Sequence, residues 1–400
     1  VTAASAPDAS LDVPAVAGNH DLSGLRVAII HDWLTGMRGG ERVLQALCEL
    51  FPRAQLFTLV HVPGVVSAPI ARLPLRSSFV ERLPRAWRWY RHYLPLFPAA
   101  VEQFDLDGFD LVISSSHCAV KSVVVPGRAR HLCYCHSPMR YAWDQFNAYF
   151  GPARLGRASS AARAVLRRMA RWDRDTSGRP DRYVANSQYV AQRIRRYYNR
   201  RAVVVPPPVD TSFYTPCSTP PGSNPPDRYF LVVSALVPYK RLELAIDASR
   251  QVNIPLKIVG EGTELPRLQA LAGPTVEFLG RRTDEQVRDL YRGALAVLLP
   301  GEEDFGIVPV EAQACGRPVV ALGLGGALET VVDGVTGVLV RDSQPASWAA
   351  ALDRVASAPE DFSPEASRAN AERFSRERFM HGFLAEARAL VAAPPETARW

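Results

Sequence analysis

Two carboxylates, Glu303 and Glu311, stand eight residues apart in EEDFGIVPVEAQAC, residues 302–315, with an apolar stretch and a Phe-Gly pair between them. A carboxylate accepts paired hydrogen bonds from vicinal hydroxyls, so two at this spacing can grip two different polyols, such as a ribose and a sugar ring. The apolar run ALAVLLP reads as a strand that turns at Gly301, which leaves Glu303 in a loop and places Glu311 about two turns along the following helix. The N–H groups around Phe305, Gly306 and Ile307 would open that helix and suit a phosphate.

A second loop of the same kind, HDWLTGMRGGERV at 31–43, follows a strand and puts Gly36, Gly39 and Gly40 just before a helix. Glycines there let backbone approach a pyrophosphate closely, or serve only a tight turn. The dinucleotide pattern G-x-G-x-x-G is absent from this loop. LGLGGALE at 322–329 begins like it but has Leu328 at the sixth position, which gives a dehydrogenase little support. Two D-x-D strings, Asp105 to Asp107 and Asp173 to Asp175, are read as solvated surface, the first beside a turn and the second in an Arg-rich helix. No metal is expected.

These residues need elements to hold them. Four hundred residues call for two domains, each with its own core. LRVAII, LVISS, HLCYCH and RYVANS alternate with helical stretches in the first half, as in a parallel sheet covered on both faces. Residues 206–226 are rich in proline, a composition that supports neither helix nor central strand, and the alternation restarts at YFLVVSAL. The expected organisation is a disordered lead-in at 1–20, a Rossmann-like acceptor-side domain at 21–207, a linker at 208–227, a nucleotide-sugar-binding domain at 228–374, and a terminal helix and tail at 375–400 that cross back to the first domain. The fold class is α/β, two doubly wound domains facing a cleft.

The formal net charge is +7 and nearly all the cations are arginine, which suits phosphate recognition or reflects a generally basic proteome. The six cysteines include no C-x-x-C pair and several lie in apolar runs, as reduced thiols of a cytoplasmic protein would. The first twenty residues lack the basic start and apolar core of a signal peptide. No apolar run approaches the ~18 residues of a membrane span, so any membrane contact is expected to be peripheral.

The E-x7-E segment closely resembles the signature of retaining family 4 glycosyltransferases, which have the two-domain GT-B fold. The likeness runs from residue 25 through SSSHCAVK, CYCHSP, VANSQYVAQRI and PPPVD, then SALVPYKRLELAI, IVGEG, FLG and GGALETVVDGVTGVLV. Bacterial mannosyltransferases that use GDP-mannose are the subgroup it most looks like. The resemblance implies that Glu311 binds the ribose, that Glu303 contacts the transferred sugar and that Lys240 meets the donor phosphate. It matches His136 to a histidine at the sugar and acceptor end, and Gly39 and Gly40 to a loop under the pyrophosphate. His136, at a strand end, could instead only bond backbone. A cation near a helix start opposes the dipole, which makes Lys240 hard to explain structurally. An arginine the family often carries five residues before that lysine is replaced by Ala235, which leaves a second cation in doubt; Arg241 is adjacent.

The implied reaction is metal-independent transfer of a hexose with retention to a saccharide or lipid-linked saccharide, with no cofactor and no nucleic acid partner. The alternatives are a UDP- or dTDP-sugar donor, a GT-B epimerase, or a non-catalytic nucleotide-sugar-binding subunit of a polysaccharide assembly. On the acceptor side, residues 77–104 interleave arginines with Trp87, Trp89, Tyr90, Tyr93, Leu94, Leu96 and Phe97. Such a mixture suits the headgroups of an anionic inner leaflet, or packs into a core.

Overall fold

The structure, a computed structural model, describes residues 22–151, 156, 158–217 and 228–394. The expected lead-in at 1–20, residues 218–227 of the linker and the end of the tail at 395–400 lie outside the described residues.

Seven parallel strands form the first sheet: β1 (Val27–His31), β2 (Gln55–Thr58), β3 (Leu75–Ser77), β4 (Leu111–Ser116), β5 (Arg130–Cys135), β6 (Arg182–Ala185) and β7 (Ala202–Val204). Their order is β3-β2-β1-β4-β5-β6-β7. Six parallel strands form the second: β8 (Phe230–Val233), β9 (Leu256–Val259), β10 (Val276–Gly280), β11 (Ala296–Leu299), β12 (Val319–Leu322) and β13 (Gly337–Val340), in the order β10-β9-β8-β11-β12-β13. Both are doubly wound α/β sheets. The direction of winding reverses between β1 and β4 in one sheet and between β8 and β11 in the other. Ligands of open parallel sheets bind beyond the carboxyl ends of strands at such points.

The long apolar runs were legible as strands because a central parallel strand is buried on both faces: β1, β4 and β11 are buried throughout. The short edge strands β3 and β7, and the four-residue β2 beside β3, carry no such run and escape the sequence reading.

Helices relevant to the site are α1 (Gly39–Leu50), α2 (Arg140–Trp143), α3 (Ala158–Asp175), α4 (Gln188–Tyr198), α5 (Leu242–Val252), α6 (Ile307–Ala314) and α7 (Arg376–Ala392). The expected return of the terminal helix is found. Phe379, Phe383, Ala387 and Leu390 of α7, spaced to share one helix face, join the core of the first sheet, and the Phe379 ring lies 5.7 Å from that of Tyr134 on β5. Burying each large apolar side chain contributes roughly 1.5–3 kcal/mol, which ties the chain end to the domain where it began.

One expectation fails. Asp173, read as solvated surface, is fully buried. It pairs with buried Lys121 at 3.1 Å and accepts from Trp143 Nε1 at 2.7 Å and Tyr198 OH at 2.8 Å. The Arg-rich composition of α3 hid this position, because one face of a charged helix still meets the core. Asp105, Asp107 and Asp175 are exposed as expected.

Candidate active site

On the second sheet, β8 and β11 are neighbours, so the loops that leave their carboxyl ends converge. The β8 loop carries a single 3₁₀ turn, Pro238–Lys240, and the β11 loop carries Glu302, Glu303 and Asp304. A Cβ on Gly301 would stand 2.6 Å from the Tyr239 carbonyl oxygen and 2.7 Å from Lys240 Cα, so only glycine lets the two loops approach this closely. The result is an ion pair between Lys240 Nζ and Glu303 Oε1, whose side chains are only 14% and 15% exposed. Burial works against the Lys240 ammonium, yet Glu303 holds its pKa above the usual value.

The segment LGLGGALE acts as a brace for this loop. The Gly326 N–H donates to the Glu303 carbonyl at 2.8 Å, and a Cβ on Gly326 would fall 2.3 Å from Phe305 Cα. Those glycines seat Glu303; they do not cradle a dinucleotide.

Helix α6 starts at Ile307 behind Gly306, with no side chain capping its N–H groups. Pro309 is tolerated because the first helical turn needs no internal donors. Glu311 is the fifth of its eight residues, so it lies about one turn along, and not the two expected, because the loop keeps Glu302 to Gly306 non-helical. Its Oε2 accepts from Tyr291 OH at 2.9 Å. Burial pushes the Glu311 carboxyl above its usual range, against the opposing pull of Tyr291 and Arg42. Phe305 turns inward and packs edge-on against Phe374 with ring centres 5.4 Å apart.

Facing this wall are the carboxyl ends of β1, β4 and β5. His31 ends β1, Ser115 lies at the end of β4, and His136 follows β5. Ser115 Oγ stands 3.0 Å from His31 Nδ1 and 2.8 Å from His136 Nε2. A hydroxyl has one proton, so it donates to one imidazole and accepts from the other. Asp32 is sequestered beside them by four backbone N–H groups, those of residues 117–120, at 2.7–3.1 Å. Burial keeps all three histidines neutral: it pushes His117 and His136 down to about 3, and His31 well below the usual value.

The glycine loop joins the two walls. A Cβ on Gly40 would sit 3.6 Å from the His31 ring and 3.9 Å from His136, and one on Gly39 would sit 3.2 Å from Ile307 Cδ1. Gly39 and Gly40 therefore lie between the histidines and the uncapped start of α6. Among the described residues no group of three or more His, Cys, Asp or Glu side chains is placed to hold a metal ion.

Several ionic contacts cross the cleft. Asp304 takes Arg140 Nε at 2.7 Å on one oxygen and Arg193 Nη1 at 2.8 Å on the other, and its carbonyl accepts from Ser187 Oγ at 2.6 Å. Burial opposes the Asp304 charge, but Arg140 and Arg193 hold the carboxyl below its usual range. Glu329 accepts from the backbone N–H groups of Gln188 and Tyr189 at 2.8 and 2.9 Å, which caps α4 from the other domain. Tyr189 OH reaches Glu302, and Arg42 of α1 reaches Asp284.

Residues 37–213 match the family described as Glycosyltransferase Family 4, and residues 218–374 match Glycosyl transferases group 1. The chain belongs to these GT-B glycosyltransferases. Among similar proteins are the D-inositol 3-phosphate glycosyltransferases of Segniliparus rotundus, 34% identical over 53% of this chain and 53% of that protein, and of Geodermatophilus obscurus, 35% identical over 54% of each. The chain spans about half the length of these relatives. Among solved structures that share the fold are the following two. Anabaena HepE in complex with UDP and glucose has a TM-score of 0.68 at 20% identity, covering 92% of this chain and 100% of that one. Sucrose-phosphate synthase from Thermosynechococcus elongatus has a TM-score of 0.69 at 18% identity, with the same coverage.

In this chain Lys240, Glu303, Gly306, Ile307, Glu311, Gly39, Gly40 and His136 lie on the loops and helix starts at the carboxyl ends of the two sheets, whereas Phe305 turns its ring into the core. Arg241 does not join Lys240: its backbone is left-handed, with φ of 53°, and its guanidinium donates to Ser343 Oγ. The sequence reading passed over His31 and Ser115, although both sit at strand carboxyl ends, where the rule for parallel sheets directs attention. Arg140, four residues beyond His136, was equally visible and equally missed.

Proposed function

We propose that this glycosyltransferase moves a hexose, mannose from GDP-mannose, onto a hydroxyl of a saccharide or lipid-linked saccharide with retention and without a metal. One observation carries the reading: the Lys240–Glu303 pair, the uncapped start of α6 and half-buried Glu311 line up on one wall, with Gly39 and Gly40 closed over them. Glu303 holds the sugar, Lys240 and the helix start hold the diphosphate, and Glu311 holds the ribose. The leaving diphosphate gains charge as the sugar departs, and preorganised donors facing such charge are commonly worth ~10²–10³-fold in rate. His136, held by the buried Ser115 hydroxyl, borders the space opposite, where a neutral hydrogen-bonding wall suits an acceptor hydroxyl.

Release of nucleoside diphosphate from GDP-, UDP- and dTDP-sugars in EDTA, with and without acceptor, tests this. GDP-mannose consumption that acceptor accelerates is expected. Binding without cleavage would leave a nucleotide-sugar-binding subunit, and consumption of a uridine donor alone would replace the mannosyl assignment.

For the acceptor, a second reading has an observation behind it. Relatives named D-inositol 3-phosphate glycosyltransferases point to a phosphorylated cyclitol, and the charges of Arg91 and Arg38 bear on the His117 ring at this end of the cleft. Inositol phosphate belongs in the acceptor panel.

The membrane contact has support in exposure. Tyr90, Leu94 and Phe97 pack into the core, whereas Trp87 is 61% exposed, Trp89 is 41% exposed and Leu96 is also exposed. Arg82, Arg85, Arg88 and Arg91 surround them, all exposed, and no acidic residue lies between Glu81 and Glu102. Each cation near an anionic surface adds about 1 kcal/mol. Anionic vesicles should co-sediment the protein at low salt and release it when Arg85, Arg88 and Arg91 become glutamate. Failure of the unaltered protein to sediment would assign the patch another role. No helix among the described residues is long and apolar enough to cross a membrane.

A further inference from the structure

We propose that Arg140 is a catalytic residue: the first domain delivers its guanidinium against the leaving diphosphate, as a second cation beside Lys240. This rests on the donor being a nucleoside diphosphate sugar. Lys240 is paired with Glu303, so together they bring no net charge to a group whose negative charge grows in the reaction. Neither chain neighbour makes up the difference. Position 235 is an exposed alanine, and Arg241 is turned to Ser343.

Arg140 approaches the same spot from across the cleft. Its guanidinium carbon lies 5.4 Å from the centre of the Tyr239 ring, and Lys240 Nζ lies 5.2 Å from that centre, so both cations lie close to one ring. Arg140 is 19% exposed and uses Nε on Asp304. Its two Nη groups make no hydrogen bond with the described residues. Arg193 differs: both of its Nη groups are spent, on Ser137, Asp304 and Asp144. Asp304 thus works as an anchor. It fixes Arg140 through Nε, keeps its second oxygen on Arg193, and leaves a forked pair of donors free, the geometry that suits bidentate recognition of phosphate.

In the transfer, the bond from the sugar anomeric carbon to the diphosphate oxygen breaks, and its electron pair leaves with that oxygen. The acceptor oxygen bonds to the anomeric carbon and its proton passes to the departing phosphate oxygen. Arg140 and Lys240 bind the charge that remains. Because Arg140 arrives with the first domain, the second cation is present only when the cleft is closed, which links closure to bond breaking.

The test uses the full chain and compares Arg140→Gln, Arg140→Lys and Arg193→Gln for turnover and for binding of GDP, UDP, GMP and UMP. Arg140→Gln should lower kcat ~10²-fold. It should weaken the preferred nucleoside diphosphate ~10-fold and leave the matching monophosphate unchanged, as loss of a charge-assisted contact to the second phosphate requires. Arg140→Lys should recover part of both. Arg193→Gln, which loosens the same domain contact without reaching the diphosphate, should weaken mono- and diphosphate alike. Adding Ala235→Arg to Arg140→Gln should restore at least ~10-fold in rate by supplying a cation from the other wall. Equal loss of mono- and diphosphate binding in Arg140→Gln, with kcat matching Arg193→Gln, would reduce Arg140 to a domain latch and overturn the proposal. An unaltered chain that cleaves no sugar nucleotide removes the transferase reading and this inference with it. An active chain indifferent to Arg140→Gln removes this inference alone.

Discussion

His31, His117 and His136 on the first-domain wall are titratable groups kept uncharged by burial, and a serine hydroxyl links two of them. Lys240 on the facing wall is also enclosed, yet its ammonium keeps its proton because Glu303 is paired with it. Burial is common to the two walls, so the difference lies in partners: an imidazole whose nearest carboxylate is already engaged gives up its proton, whereas an ammonium paired directly with a carboxylate keeps it. Asp32 Oδ2 lies 3.4 Å from His117 Nδ1 but does not give the histidines an undivided counter-charge. Four backbone N–H groups also occupy it. The proposed function assigns hydroxyls to the first wall and phosphates to the second.

The same contrast recurs inside the E-x7-E segment. Glu303 is paired with the Lys240 ammonium, while Glu311 accepts a hydrogen bond from the neutral Tyr291 hydroxyl.

The contrast breaks most visibly at Glu303. Glu303→Ala should cut transfer by ~10²–10³-fold, since it removes the sugar contact and leaves Lys240 without its partner. Steady-state turnover of the donor with acceptor present measures it. Glu311→Ala should act on affinity, with a loss of about 1–3 kcal/mol in nucleotide binding as the ribose and Tyr291 lose an acceptor. A smaller effect sharpens the view of the neutral wall. The histidines have folded pKa values below the unfolded value of 6.5, so their contribution to stability is whole above that value and is lost as the pH falls through it toward 3. Each should cost roughly 1 kcal/mol by about pH 5.5. Melting temperature against pH reads this out, and His136→Gln should flatten the acid limb; a charged His136 would give no such flattening.

How much of this was legible depends on where each feature's cause lies. Long buried strands announce themselves as apolar runs, and the Gly-rich loops announce close backbone approach, so the doubly wound fold and the E-x7-E loop could be read directly. Residues 302–304 are three consecutive carboxylates, and nothing in their order says that Glu302 meets Tyr189, Glu303 meets Lys240 and Asp304 meets two arginines. The destinations of Glu302 and Asp304 are decided by how one domain sits against the other, a relation between residues more than a hundred positions apart. Asp173 was misread for a related reason: its partner Lys121 comes from a different strand-to-strand connection, which helix composition does not reveal.

Titration calorimetry of the preferred nucleoside diphosphate against Glu303→Ala and Glu311→Ala tests the central claim, a division between a sugar end and a nucleotide end of one segment, most directly. The division predicts affinity within a few fold of the unaltered protein for Glu303→Ala and the loss of about 1–3 kcal/mol for Glu311→Ala. Equal losses in the two variants would contradict it.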